Sequence, residues 1–256
     1  MSTTHTTRIK ICGIFREADV AAVNRALPDY VGFVFAPSTR RVTPEHAASL
    51  RAQLDERIVS VGVFVEEAPE RIAELYDRGL FAAAQLHGAW QPEQIGELRQ
   101  RCGANLTIIR AVAVELTKGT VPNCQLFECG HGVAKHLEKV DNLEPSPLST
   151  RSRPQTQPSP LSTQPSPLST DLLHIADEVD YPLFDYREPG SGRTFDWSCL
   201  AGIRRPYFLA GGIGLGNIEE ALELKPYCID VSSGAETDGV KDSQKINELV
   251  KRVRQA

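Results

Sequence analysis

The chain has 256 residues, 41% of them hydrophobic and 24% charged, enough for one α/β barrel or two small domains with a sizeable buried core. Its net charge of −5, without a polybasic run, argues against nucleic acid or a membrane surface as ligand. No stretch approaches the roughly 20 apolar residues of a membrane span, the start MSTTHTTRIKICGI lacks a signal-peptide core, and six scattered cysteines read as free thiols in a reducing cytoplasm.

Short β-rich runs alternate with amphipathic stretches of helical length. The runs are residues 8–12, 30–35, 58–65, 81–86, 105–114, 181–185, 206–210 and 228–233. Between them, residues 16–27, 43–54, 68–79, 91–102, 216–225 and 242–255 carry helical periodicity. Thr43 can cap a helix, Pro44 suits its first turn, and Glu45 sits near its positive end. Eight strands alternating with helices imply parallel βαβ units and favour a closed (β/α)8 barrel of the α/β class, the TIM barrel.

One segment breaks the rhythm. Between the fifth and sixth strands lie 66 residues, where such a connection usually needs about 15 to 20. Residues 141–170 hold seven of the 17 prolines, and PSPLST occurs three times, at 145–150, 158–163 and 165–170. Low-complexity sequence without apolar periodicity cannot offset its ordering entropy by burial. The expectation is a single barrel over 7–256, interrupted at about 117–170 by a disordered insertion, with residues 171–180 forming a short fifth helix. Cys124, Cys129, His131 and His136 in the insert are zinc-type ligands. Two of their spacings are wider than structural pairs use, so no metal is expected.

Parallel barrels carry their chemistry at the C-terminal strand ends. That rule selects Cys12 after the first strand, Arg40 in the loop after the second, and Gln85 and His87 at the fourth. It also selects Asp185 at the sixth, Gly211 and Gly212 after the seventh, and Asp230, Ser232, Ser233 and Gly234 at the eighth. The last two groups, with Asn217 opening a helix, make a coherent phosphate site, because backbone amides and a helix start favour an anion. Cys12 is by position either a proton-transfer group or a small buried hydrophobe. Asp185 is either a partly desolvated acid or a capping and salt-bridge residue.

Seven motifs in order turn this list into a resemblance. They are KICG (10–13), GFVF (32–35), VGVF (61–64), QLHG (85–88), GSGRTFDW (190–197), LAGGI (209–213) and DVSSG followed by Glu236 (230–236). Together they resemble the phosphoribosylanthranilate isomerases of tryptophan biosynthesis over roughly 8–114 and 171–255. The resemblance implies an isomerase that takes a phosphosugar and performs an acid–base Amadori rearrangement without metal or other cofactor. It implies Cys12 as base, Asp185 as acid, and Arg40 rather than its neighbour Arg41 on the anthranilate carboxylate. His87 lines the pocket or is hydrogen-bonded to a neighbouring loop. Gly190, Ser191 and Gly192 resemble a loop that closes over the substrate. The base and acid need opposite starting protonation states, so their pKa values are expected to shift toward each other. A competing reading is an inactive barrel serving as an interaction module through the Pro-rich insert. Monomer and homodimer both stay open.

Overall fold

The structure, a computed structural model, describes residues 6–117, 123–128, 179–186, 194–200 and 203–256, with backbone only for 115–117 and 123–128. Its strands are β1 (Arg8–Cys12), β2 (Tyr30–Val34), β3 (Val59–Val65), β4 (Ala83–His87), β5 (Thr107–Thr117), β6 (Asn123–Glu128), β7 (Tyr181–Tyr186), β8 (Phe208–Leu209) and β9 (Cys228–Val231). A small hairpin, β10 (Glu236–Thr237) and β11 (Val240–Lys241), follows β9. The helices are α1 (Glu17–Ala26), α2 (Pro44–Ala52), α3 (Pro69–Asp77), α4 (Pro92–Cys102), α5 (Ile218–Glu223) and α6 (Ser243–Gln255).

Eight of these strands close on themselves in the order β1-β2-β3-β4-β5-β7-β8-β9, and every neighbouring pair is parallel. Closure removes both sheet edges. The expected barrel is present, with one correction inside the insertion. Residues 123–128, expected to be disordered, form β6, which pairs antiparallel with an extended β5 from Val112↔Glu128 to Thr117↔Asn123. The physical reason is edge availability. β4 pairs with β5 only over Thr107–Arg110, and β7 takes the other edge, so the upper part of β5 on the β4 side has free backbone groups that β6 satisfies. The rest of the insert, at 118–122 and 129–170, lies outside the described residues, as does the expected fifth helix at 171–180 except for Val179 and Asp180, which are not helical.

Strand parity creates two cores. Ile9 and Ile11 of β1 face outward, where they pack with α1 and α6 residues such as Val20, Val23, Ile246, Leu249, Val250 and Val253. The last four recur at helical spacing, which gives α6 one apolar stripe. Inside the barrel, Val61, Ala83, Ile109, Ala111, Ala113, Leu183 and Phe208 form a separate cluster. Tyr30, Phe208, Tyr181 and Tyr227 plug its N-terminal end, with the Tyr181 and Tyr227 rings stacked at 4.4 Å. Arg8 lies 4.6 Å over the Tyr227 ring and donates to the Tyr30 hydroxyl. With that end filled, polar inward positions remain only toward the C-terminal end.

Helix starts follow local chemistry. Thr43 Oγ1 accepts from His46 N at 3.2 Å with Pro44 in the first turn, as expected. Asp242 caps α6 by accepting from Gln244 N and Lys245 N. Asp19 turns back to accept from Arg16 N at α1.

Candidate active site

Inward parity on four strands assembles the site. On β1 it presents Lys10 and Cys12, on β4 Gln85 and His87, on β7 Asp185 and on β9 Asp230. All six are buried, Lys10 completely. Register places Lys10 directly beside Asp230, and its ammonium lies 2.8 Å from both Asp230 Oδ2 and Gln85 Oε1. Gln85 Nε2 is in turn 2.7 Å from His87 Nε2, so His87 meets a side chain two residues away on its own strand. Its carbonyl accepts from Trp90 Nε1. Asp230 Oδ1 is buried with no hydrogen-bond donor among the described residues.

Cys12 depends on a glycine across the strand pair. Gly32 is its β2 partner, and a Cβ there would stand 2.7 Å from Cys12 Sγ and 3.4 Å from Lys10 Cε. Only a residue without a side chain lets the thiol and the lysine share that space.

The electrostatics of the pair differ from the expected convergence. Burial, then the Asp230 charge, pushes the Asp185 carboxyl up to about 7, against a hydrogen bond from Tyr186 N and the Lys10 charge. That is the expected direction. Burial also pushes the Cys12 thiol up, and the opposing charges of Lys10 and Lys241 do not reverse it. The expected fall at Cys12 is therefore corrected: desolvation disfavours the thiolate more than two ammonium groups favour it. For Lys10, burial acts to lower the pKa, but Asp230 and Cys12 outweigh it and hold the ammonium charged.

Arg40 lies beside this centre. A Cβ on Gly13, whose φ of +82° suits glycine, would meet Arg40 Cδ at 2.6 Å. The guanidinium reaches the hairpin after β9: Nη2 donates to Glu236 Oε2 at 2.7 Å, and Nε lies 2.7 Å from Oε1 without hydrogen-bond alignment. Lys241 Nζ pairs with the same carboxylate and donates to Ser232 O at 3.0 Å. Burial acts to raise the Glu236 pKa, but Arg40 and Lys241 hold it below the usual carboxylate range. Arg41, the alternative to Arg40, is exposed.

The loops after β8 and β9 meet at Gly214 and Gly234, which form a bridge so close that a Cβ on Gly234 would stand 2.0 Å from Ile213 O. Gly211 and Gly212 both have positive φ. Asn217 pins the first loop, accepting from Gly214 N and donating to Gly212 O. Ser232 and Ser233 follow β9 directly, and Ser232 Oγ donates to Cys12 O at 3.4 Å. Gly190, Ser191 and Gly192 lie outside the described residues, as do Cys129, His131 and His136, and the side chain of Cys124 is not described.

Sequence reasoning missed the roles of Gly32, Glu236 and Lys241. Lys10 lies in the KICG motif, two residues before Cys12 on the same strand. Glu236 was visible within its motif, but no local signal marks Lys241 as its partner.

A closed (β/α)8 barrel with a buried thiol and carboxyl at its mouth, beside two glycine loops, is the architecture of an acid–base barrel enzyme. The model of the family N-(5'-phosphoribosyl)anthranilate (PRA) isomerase matches residues 9–130 and 160–252. An N-(5'-phosphoribosyl)anthranilate isomerase of Endomicrobium trichonymphae is 35% identical over 252 residues, covering 96% of this chain and 98% of the relative. The solved phosphoribosyl anthranilate isomerase of Thermotoga maritima superposes with a TM-score of 0.69 at 27% identity, covering 98% of this chain and 100% of that one. A phosphoribosyl anthranilate isomerase solved with reduced 1-(o-carboxyphenylamino)-1-deoxyribulose 5-phosphate gives 0.66 at 26%, with the same coverage. The chain belongs to the N-(5'-phosphoribosyl)anthranilate isomerase family.

Proposed function

We propose that Cys12 is the base and Asp185 the acid of this isomerase as it converts N-(5'-phosphoribosyl)anthranilate to 1-(2-carboxyphenylamino)-1-deoxyribulose 5-phosphate in tryptophan biosynthesis. The carrying observation is that both groups face the barrel interior with the Lys10–Asp230 ion pair interacting with each. Asp185, neutral up to about pH 7, protonates the furanose oxygen as the C1'–O bond breaks and the nitrogen lone pair forms the C1'=N bond. Cys12 then removes the C2' proton, the C1'=N electrons return to nitrogen, and the enolamine ketonises to the product. The thiolate is disfavoured by burial in the free protein. The cationic Schiff base adds positive charge beside it at the step that needs a base.

Gly211, Gly212, Ser232, Ser233 and Gly234 bind the substrate phosphate, supported by the bridge that joins their loops. Asp230 Oδ1, a buried acceptor without a donor among the described residues, takes a sugar hydroxyl. Gln85 holds Lys10 and His87 in place at the pocket wall. Arg40 meets the anthranilate carboxylate. The setting is cytoplasmic, where Cys12 stays reduced, and the protein works as monomer or homodimer on a small phosphosugar with no nucleic-acid or membrane partner. Among the described residues, no helix is long and apolar enough to cross a membrane.

The test is loss of substrate fluorescence by the full chain without added metal. Cys12→Ala and Asp185→Ala each lower turnover by at least about 10²-fold. A fully active Asp185→Ala overturns the acid assignment, and an inactive wild-type chain favours the interaction-module alternative.

A further inference from the structure

A guanidinium offers two edges for a carboxylate: the side formed by Nε and Nη2, and the end formed by Nη1 and Nη2. In this protein Glu236 occupies the side edge, with Oε2 on Nη2 and Oε1 against Nε. Among the described residues, no other side chain bonds the Arg40 guanidinium. Glu236 itself cannot swing freely. Its carboxylate is gripped by Lys241, whose ammonium is fully buried and also anchored on Ser232 O. Its backbone carbonyl accepts from Lys245 Nζ at 2.6 Å. The hairpin that carries both residues is tied to the start of α6, where Asp242 N donates to Ala235 O and Thr237 Oγ1 donates to Asp242 Oδ2. A second clamp acts on the stem, because Gly13 leaves room for Arg40 Cδ and nothing larger.

We propose that Glu236 is a positioning residue for substrate selectivity. Backed by Lys241, it pins Arg40 by its Nε–Nη2 side so that the Nη1–Nη2 end is held ready for the aromatic carboxylate of the substrate. This rests on the reading of Arg40 given above. The pin fixes one rotamer of a long side chain before binding, which removes an ordering cost from the bound state. It also sets a direction that distinguishes it from a simple charge effect. Glu236 is an anion beside the site for an anion, so a pure charge count makes its removal tighten carboxylate binding. Loss of the pin weakens it.

The experiment measures binding of reduced 1-(o-carboxyphenylamino)-1-deoxyribulose 5-phosphate and of the phenylamino analogue lacking the carboxylate. The proteins are wild type, Glu236→Gln, Arg40→Ala and the double variant, each checked for folding by thermal denaturation. Glu236→Gln is expected to weaken the carboxylate ligand about tenfold, about the loss of one charge-assisted hydrogen bond. The analogue should change less than about threefold. In the Arg40→Ala background, Glu236→Gln should add less than about threefold, because the pin has nothing left to hold. Tighter binding, equal weakening of both ligands, or additive losses each overturn the proposal. If Arg40→Ala does not discriminate between the two ligands, the carboxylate reading of Arg40 fails instead. Should Glu236→Gln fail to fold, Glu236→Asp keeps the charge, shortens the reach and is held to the same comparisons.

Discussion

Asp185 carries the clearest pH signature. Its carboxyl titrates near 7 because burial and the Asp230 charge disfavour the anion. The folded state thus holds a proton that the unfolded chain has already lost between the ordinary carboxyl pKa and about 7. Stability contributed by this residue falls as pH rises through that window and stays low above it. Asp185→Asn removes the penalty, so it should raise the melting temperature at pH 8, with a smaller gain at pH 5, while lowering turnover by at least about 10²-fold. An equal gain at both pH values removes the assigned shift. The same ionisation makes kcat/KM of the wild type fall above about pH 7, as the acid loses its proton; a profile flat to pH 9 contradicts that. The positions of Cys12 and Asp185 at barrel strand ends were legible from strand periodicity and motif order. Their protonation was not, because desolvation depends on what seven other strands bring to the same interior. The upward shift at Cys12 is the instance where that mattered most.

At the scale of elements, the site is held by places where side chains are missing. Gly32→Ala puts a methyl 2.7 Å from Cys12 Sγ and 3.2 Å from its Cα. One of these contacts is backbone, so relief needs strand movement and costs about 1–3 kcal/mol. The expected result is a folded protein with turnover down more than about tenfold; unchanged turnover would show that the thiol needs no such room. Gly234→Ala is more severe, since the new atom stands 2.0 Å from Ile213 O and breaks the bridge between the two loops after β8 and β9. With the phosphate site proposed for these loops, it should raise KM much more than it lowers kcat, because contacts to a phosphate act remotely from the reacting carbons. A normal KM would separate those loops from phosphate binding. Helix starts such as Thr43-Pro44 were readable locally, since a cap is settled within four residues. The pairing of β6 was not, because it answers a free edge on β5 that only barrel closure exposes.

For the whole molecule, the barrel closes through β5 and β7 without needing the repeat between them. Deleting about 129–170, which carries all three PSPLST units, should leave melting temperature and turnover close to those of the full chain. A deletion reaching back to 117 also removes β6 and should lower the melting temperature, because part of the β5 edge loses its hydrogen bonds. If both deletions behave alike, β6 contributes nothing to stability. The amino-acid sequence alone determined the eight-fold alternation, the strand-end positions of the reactive residues and the family they resemble. Those features are local periodicities and short motifs, readable within a few residues. Tertiary structure decided the Lys10–Asp230 pair, separated by 220 positions, and the Arg40–Glu236–Lys241 cluster. It also decided the protonation bias of Cys12 and Asp185. Each of these depends on distance and burial across a closed barrel, and a closed barrel brings the first strand beside the last.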